Sequence, residues 1–142
     1  MKALYLKLIG VLFLIVIGFN NTSFAQNPPS SEAVNMTYEQ AMAMKKPVVV
    51  DFYADWCGAC KRFSPILNDV KTEYSSKFNF VCVNADKPEN TAITSKYNIT
   101  SLPSVFIVDP KTGKSKFINQ DYYFNPARFK KELDDYLKSR TD

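Results

Sequence analysis

The chain has 142 residues, 46% of them hydrophobic, and carries 18 basic and 14 acidic side chains for a net charge of +4. This length suits one domain with a single core of ordinary size. The basic residues are interspersed with acidic ones rather than clustered, so the composition argues against a nucleic-acid-binding surface, and we expect no nucleic-acid partner.

The first 25 residues have the layout of a secretory signal peptide. Lys2 and Lys7 precede an apolar run at 8–19, and the small residues Ser23 and Ala25 suit cleavage after Ala25. This run is shorter than the ~20 residues that a helix needs to cross a bilayer. We therefore predict an exported protein, with membrane tethering through an uncleaved segment as the alternative.

Residues 26–36 are mostly polar and include two prolines, which is typical of a flexible linker. The pair Thr37 and Gln40 has the spacing of a capping box and predicts the start of a helix. The sequence therefore divides into a signal peptide (1–25), a linker (26–36) and one domain (37–142).

Within this domain, helical and strand patterns alternate. The run at 48–53 is apolar without alternation apart from Asp51, which indicates a strand buried on both faces. Strands are predicted at 48–53, 78–83, 104–108 and 114–119, and helices at 38–46, from the cysteine pair to about 74, at about 89–97, and from Pro126 onward. This order predicts an α/β domain with a central mixed sheet flanked by helices on both faces.

The three cysteines are Cys57, Cys60 and Cys82, and the first two form a C-x-x-C motif. Zinc requires four ligands, and the sequence has no histidine and no second C-x-x-C, so a zinc site would need carboxylates or a partner chain. A structural disulfide across so short a loop stabilises a fold little. Redox chemistry by the Cys57–Cys60 pair is the favoured interpretation, with no metal and no separate cofactor expected.

Four stretches of the sequence together resemble the thioredoxin family. They are "VVVDFYADWCGACK", "SPILNDV", "VNAD" and "NITSLPS", and the likeness extends from about Met36 onward. It implies a thioredoxin fold, activity on protein cysteines and disulfides, and a cis bond between Leu102 and Pro103. The first stretch is also similar to the periplasmic reducing domains of the membrane electron relay DsbD, which suggests a bacterial envelope protein. We expect this protein to be a monomer that receives electrons from a membrane protein.

Three residues are predicted to perform the chemistry. Cys57 at a helix start would be the nucleophile, because unpaired N–H groups and the helix dipole favour a thiolate there. Cys60, one turn further on, would be the resolving thiol. Asp51 interrupts an apolar strand, so burial should raise its pKa and make it a general base for Cys60, the role that the resemblance also implies. The alternative for Asp51 is a solvated carboxylate at a sheet edge.

Five further residues are predicted to bind the protein substrate. Trp56 would form a flat hydrophobic lip, with core packing as the alternative. Gly58 and Ala59 keep the turn between the cysteines small, so that another backbone can approach. Leu102 and Pro103 would present their backbone to the partner beside the dithiol.

The sequence also departs from the family pattern. Cys82 stands where many thioredoxins carry a lysine, and we expect a buried apolar side chain there, with a third redox thiol as the alternative. The segment 120–124 replaces a loop that usually contains glycine. The small, uncharged Gly58–Ala59 pair resembles that of reducing family members more than the histidine-containing turns of oxidants and isomerases, which implies a reductant. A redox-inert binding or chaperone-like module of the same fold is the competing function.

Overall fold

The structure is a computed structural model that describes residues 36–140. The predicted signal peptide and nearly all of the predicted linker lie outside the described residues and stay predictions. Within the described part of the chain, none of the helices is both long and apolar enough to span a bilayer.

The helices and strands follow the predicted order. The strands are β1 (Val48–Tyr53), β2 (Asn79–Asn84), β3 (Ser104–Val108) and β4 (Ser115–Ile118). The α-helices are α1 (Tyr38–Met42), α2 (Gly58–Tyr74), α3 (Thr91–Lys96), α4 (Gln120–Tyr123) and α5 (Pro126–Ser139), and a short 3₁₀ helix occupies Pro88–Asn90.

The four strands form one mixed sheet in the order β2-β1-β3-β4. Strand β1 pairs with β2 in parallel and with β3 antiparallel, and β3 and β4 form the predicted hairpin. Strand β1 is therefore central, which explains why five of its six residues are buried and why its sequence is apolar without alternation. Its carboxyl end leads directly into the cysteine motif.

Helices cover both faces of this sheet, as predicted. On one face Val49 and the β3 residues Val105 and Ile107 pack with apolar residues of α2 and α5. On the other face Val48 and Val50 pack with residues of α1 and α3. Because side chains alternate along a strand, Asp51 lies on the same face as Val49, towards α2. The α/β fold class predicted from the sequence is confirmed.

Two helices differ from the sequence prediction. Helix α1 has the predicted capping box of Thr37 and Gln40 but ends at Met42, four residues before the predicted end. Helix α4 was not predicted; its N-cap residue is Asn119, whose side chain accepts a hydrogen bond from the backbone N–H of Asp121 at 2.9 Å. A four-residue helix is too short to show a periodic pattern, so its sequence signal was only this cap.

Candidate active site

The two cysteines of the motif lie at the start of α2. Cys57 is the N-cap residue, and a disulfide joins it to Cys60. The backbone N–H of Cys60 donates a hydrogen bond to Cys57 Sγ at 3.0 Å. In the reduced protein the same position places the Cys57 sulfur at the positive end of a 17-residue helix, where a thiolate is favoured over a thiol.

The surroundings of the dithiol are partly open and partly closed. Cys57 and Cys60 retain only 4% and 7% of their surface in contact with solvent, whereas Trp56 is 70% exposed. Gly58 is also exposed, and a Cβ built there would meet only the far end of the Arg62 side chain, at 3.9 Å. Another protein can therefore approach this turn without a steric barrier, and the interpretation of Trp56 as a core residue does not hold.

Asp51 is a buried carboxyl group behind the dithiol. It is 6% exposed, and its Oδ1 atom has no hydrogen-bond partner among the described residues. Desolvation by burial raises its pKa to about 7, because the charged form is disfavoured in an apolar environment. The alternative of a solvated edge carboxylate is wrong, since β1 is a central strand.

A cavity of about 330 Å³ connects this carboxyl group with Cys60. Its lining includes Asp51, Cys60, Cys82 and Lys61. Asp51 and Cys60 thus face a common space, and this space is large enough for water molecules that could carry a proton between them.

Cys82 does not have the environment predicted for it. The residue is exposed and carries a free thiol, and it lies opposite Asp51 in the β1/β2 register. Because β2 is an edge strand, a side chain at this position is less covered than the same side chain on β1 would be. Partial burial of the thiol, followed by the charge of Asp51, raises its pKa to about 11. Cys82 is therefore an accessible thiol with little thiolate at neutral pH.

The exposed Trp56 is held in place by a carboxylate. Its indole N–H donates a hydrogen bond to Asp86 Oδ2 at 2.6 Å. Asn84, buried at the end of β2, accepts from the Asp86 backbone N–H at 3.0 Å and donates to Asp55 at 3.2 Å. The turn before the cysteines is thus tied to the exit of β2.

The Pro103 loop, which comprises residues 100–103, also borders the dithiol. The Leu102–Pro103 peptide bond is cis, as expected. Leu102 packs against the cluster formed by Ala54, Cys57 and Cys60. The structure therefore brings together the predicted catalytic residues and the predicted binding residues at one end of the sheet.

Three residues at this site were not singled out from the sequence. Asn84 and Asp86 lie within the stretch "VNAD", which was quoted only for its likeness to a strand exit. Tyr123, buried beneath the Pro103 loop, donates a hydrogen bond to the Pro103 carbonyl at 2.8 Å. The sequence signal for Tyr123 was weak, because adjacent aromatic residues do not show which of them points inward.

Within residues 36–140, no group of three or more Cys, Asp or Glu side chains is placed to hold a metal ion.

Comparison with known proteins agrees with this geometry. The sequence matches the thioredoxin family model over residues 30–138. A thioredoxin of Borreliella burgdorferi is 36% identical over 84 residues, which cover 56% of this chain and 69% of the relative. Thioredoxin-T of Drosophila melanogaster is 49% identical over 67 residues, or 46% of this chain, but the aligned part is only 41% of that relative. The oxidised mitochondrial thioredoxin 3 of Saccharomyces cerevisiae has a TM-score of 0.55 and 27% identity, covering 66% of this chain and 82% of that one.

Proposed function

This chain belongs to the thioredoxin family, and we propose that it is a thiol–disulfide oxidoreductase that exchanges electrons with cysteines and disulfides of other proteins. The observation that carries the proposal is the Cys57–Cys60 pair at the N-terminus of α2, with the buried Asp51 on the same cavity as Cys60. The exposed Trp56 and the Pro103 loop border this pair and supply the surface for a partner.

The reaction follows from the position of each group. The Cys57 thiolate attacks one sulfur of the partner's disulfide, which forms a mixed disulfide and releases one partner thiolate. Asp51, as a carboxylate, takes the proton of the Cys60 thiol, and the resulting thiolate attacks Cys57 Sγ. The second partner thiolate leaves. The partner has gained two electrons, and this protein is left with the Cys57–Cys60 disulfide that the structure contains.

We propose a reductant working outside the cytoplasm, in the periplasm or cell envelope of a bacterium. The support for export is the layout of residues 1–25, and the support for reduction is the small, uncharged Gly58–Ala59 pair. In this proposal, a membrane electron-donor protein reduces the Cys57–Cys60 disulfide after each reaction. Mass spectrometry of the protein recovered from cells tests export, since cleavage after Ala25 leaves Gln26 as the first residue.

A trapping experiment tests the function. Cys60→Ser removes the resolving thiol, so mixed disulfides between Cys57 and partner proteins should accumulate and dissolve on reduction. The matched control is the double variant Cys57→Ser, Cys60→Ser, which should trap nothing. Absence of adducts from Cys60→Ser, together with unchanged cellular function of the double variant, would favour the redox-inert binding module instead.

An equilibrium titration of the Cys57–Cys60 pair against glutathione buffers tests the direction of electron flow. A reductant should have a midpoint potential near the roughly −270 mV of thioredoxins, whereas strongly oxidising members lie near about −120 mV. A midpoint at the oxidising end would overturn the proposed direction and leave the proposed chemistry intact.

A further inference from the structure

Tyr123 connects helix α4 to the Pro103 loop. Its side chain is 1% exposed and is one of the largest fully buried side chains of the described chain. The hydroxyl donates a buried hydrogen bond of 2.8 Å to the Pro103 carbonyl, across 20 residues of sequence. The bond reaches the backbone of Pro103 directly, so it constrains the position of the loop itself rather than that of a loop side chain.

The ring of Tyr123 also contacts the helix that carries the dithiol. Its centroid lies 4.8 Å from that of Phe63, a fully buried residue of α2 that follows Cys60 by three positions. Aromatic pairs at this spacing are attractive and geometrically specific. One side chain therefore touches both structures that border the partner surface, namely α2 and the Pro103 loop.

The hydroxyl of Tyr123 acts as a donor throughout the physiological pH range. Burial, and then the charge of the nearby Asp51, raise the pKa of Tyr123 to about 12. The phenol therefore stays protonated and keeps its hydrogen for the Pro103 carbonyl.

We propose that Tyr123 is a positioning residue that fixes the Pro103 loop against the dithiol, so that the Leu102 backbone is presented to a partner polypeptide. The proposal rests on the proposed function. Leu102 already packs on the cluster of Ala54, Cys57 and Cys60. Without the Tyr123 hydroxyl the buried Pro103 carbonyl loses its donor, and a small shift of the loop misplaces a partner's disulfide relative to Cys57.

The experiment compares Tyr123→Phe with Tyr74→Phe. Both changes keep a buried ring and remove one hydroxyl, but the Tyr74 hydroxyl donates to Asp134 at 3.0 Å, on helix α5 and away from the loop. For each variant, kcat/KM is measured with insulin, a protein disulfide, and with oxidised glutathione, a small disulfide that needs little of the loop. The midpoint potential of the dithiol is measured as well.

We expect Tyr123→Phe to lower the ratio of the insulin rate to the glutathione rate by at least about fivefold, with the potential unchanged. Tyr74→Phe should leave this ratio unchanged, even where it lowers the melting temperature as much. An unchanged ratio in Tyr123→Phe overturns the proposal while leaving the proposed function standing. A wild-type protein that exchanges electrons with neither substrate overturns both.

A readout in the wild-type protein covers the case in which Tyr123→Phe fails to fold. The hydroxyl proton held between Tyr123 and the Pro103 carbonyl should give a separate, slowly exchanging NMR signal with a cross-peak to the ring protons of Tyr123. A hydroxyl proton that exchanges with water at the rate of the exposed Tyr122 contradicts the proposal.

Discussion

Asp51 and Cys82 lie directly opposite each other on the parallel strands β1 and β2. Burial alone accounts for the raised pKa of Asp51, and the Asp51 charge in turn contributes to the raised pKa of Cys82. The two side chains also line the same cavity as Cys60. Burial of Asp51 therefore controls how readily the proposed base ionises, and the side chain at position 82 is close enough to alter it. The first three predictions concern these two positions.

Replacing Asp51 should stabilise the protein at alkaline pH. The pKa of Asp51 is about 7 in the folded protein, whereas its ordinary value, taken for the unfolded chain, is 3.8. At a pH between these two pKa values, the folded state holds a proton that the unfolded state has lost. The free energy of unfolding then falls as pH rises from about 4 to about 7, by at most about 4 kcal/mol. Asp51→Asn should remove this fall, as measured by denaturant unfolding at pH 4 and pH 8.

The same substitution should lower activity. Asp51 serves as a base only when ionised, so the wild-type rate of partner release should rise with pH through about 7, and Asp51→Asn should lose this dependence. Asp69→Asn, a change at an exposed residue of α2, is the matched control for both measurements. Equal stability of wild type and Asp51→Asn at pH 8 would show that Asp51 is not desolvated as described.

Introducing a cation at position 82 should make Asp51 easier to ionise. The Cys82→Lys variant places an ammonium group beside the carboxyl group, which favours its charged form. We expect the pKa of Asp51, followed by NMR of the carboxyl carbon, to fall by about one unit or more. The Cys82→Ala control removes the thiol without adding charge and should leave this pKa close to 7. A pKa that is the same in both variants would mean that position 82 does not act on Asp51.

Asp86 should restrain the indole of Trp56. Asp86→Ala removes the acceptor of the 2.6 Å hydrogen bond, and since Trp56 is exposed, the stability loss should stay below about 1 kcal/mol. The chain contains one tryptophan, so its fluorescence reports this position alone. Anisotropy should fall in Asp86→Ala, and activity on protein disulfides should fall by a few fold; the change Asp69→Ala should alter neither. Unchanged anisotropy would show that the bond does not hold the ring.

Gly113 should resist substitution because of its backbone and not because of its surroundings. It has φ of +69° in the turn between β3 and β4, and a Cβ built there meets nothing within 4 Å. Gly113→Ala should therefore cost about 1 kcal/mol of stability, from the left-handed conformation alone. Gly58→Ala, at a glycine without a positive φ, provides the comparison in thermal unfolding. A larger loss at position 58 than at position 113 would contradict this explanation.

Several features of the site could be predicted because local sequence determines them. The apolar run of β1, interrupted only by Asp51, implied a central strand, and the burial of Asp51 follows from its place inside that run. Cys57 and Cys60 lie three residues apart at a helix start, which brings their sulfur atoms together without help from distant segments. The start of α5 was likewise encoded by adjacent residues, Asn125 as the cap and Pro126 at the first helical position.

Other features depended on contacts between segments far apart in sequence. The exposure of Cys82 follows from β2 lying at the edge of the sheet, and strand order is not contained in the pattern of a single strand. The bond from Trp56 to Asp86 spans 30 residues, and that from Tyr123 to Pro103 spans 20. The sequence by itself determined the dithiol, the elements around it and the family; the tertiary structure decided which distant polar groups meet there, because hydrogen bonds of this kind depend on how the chain packs.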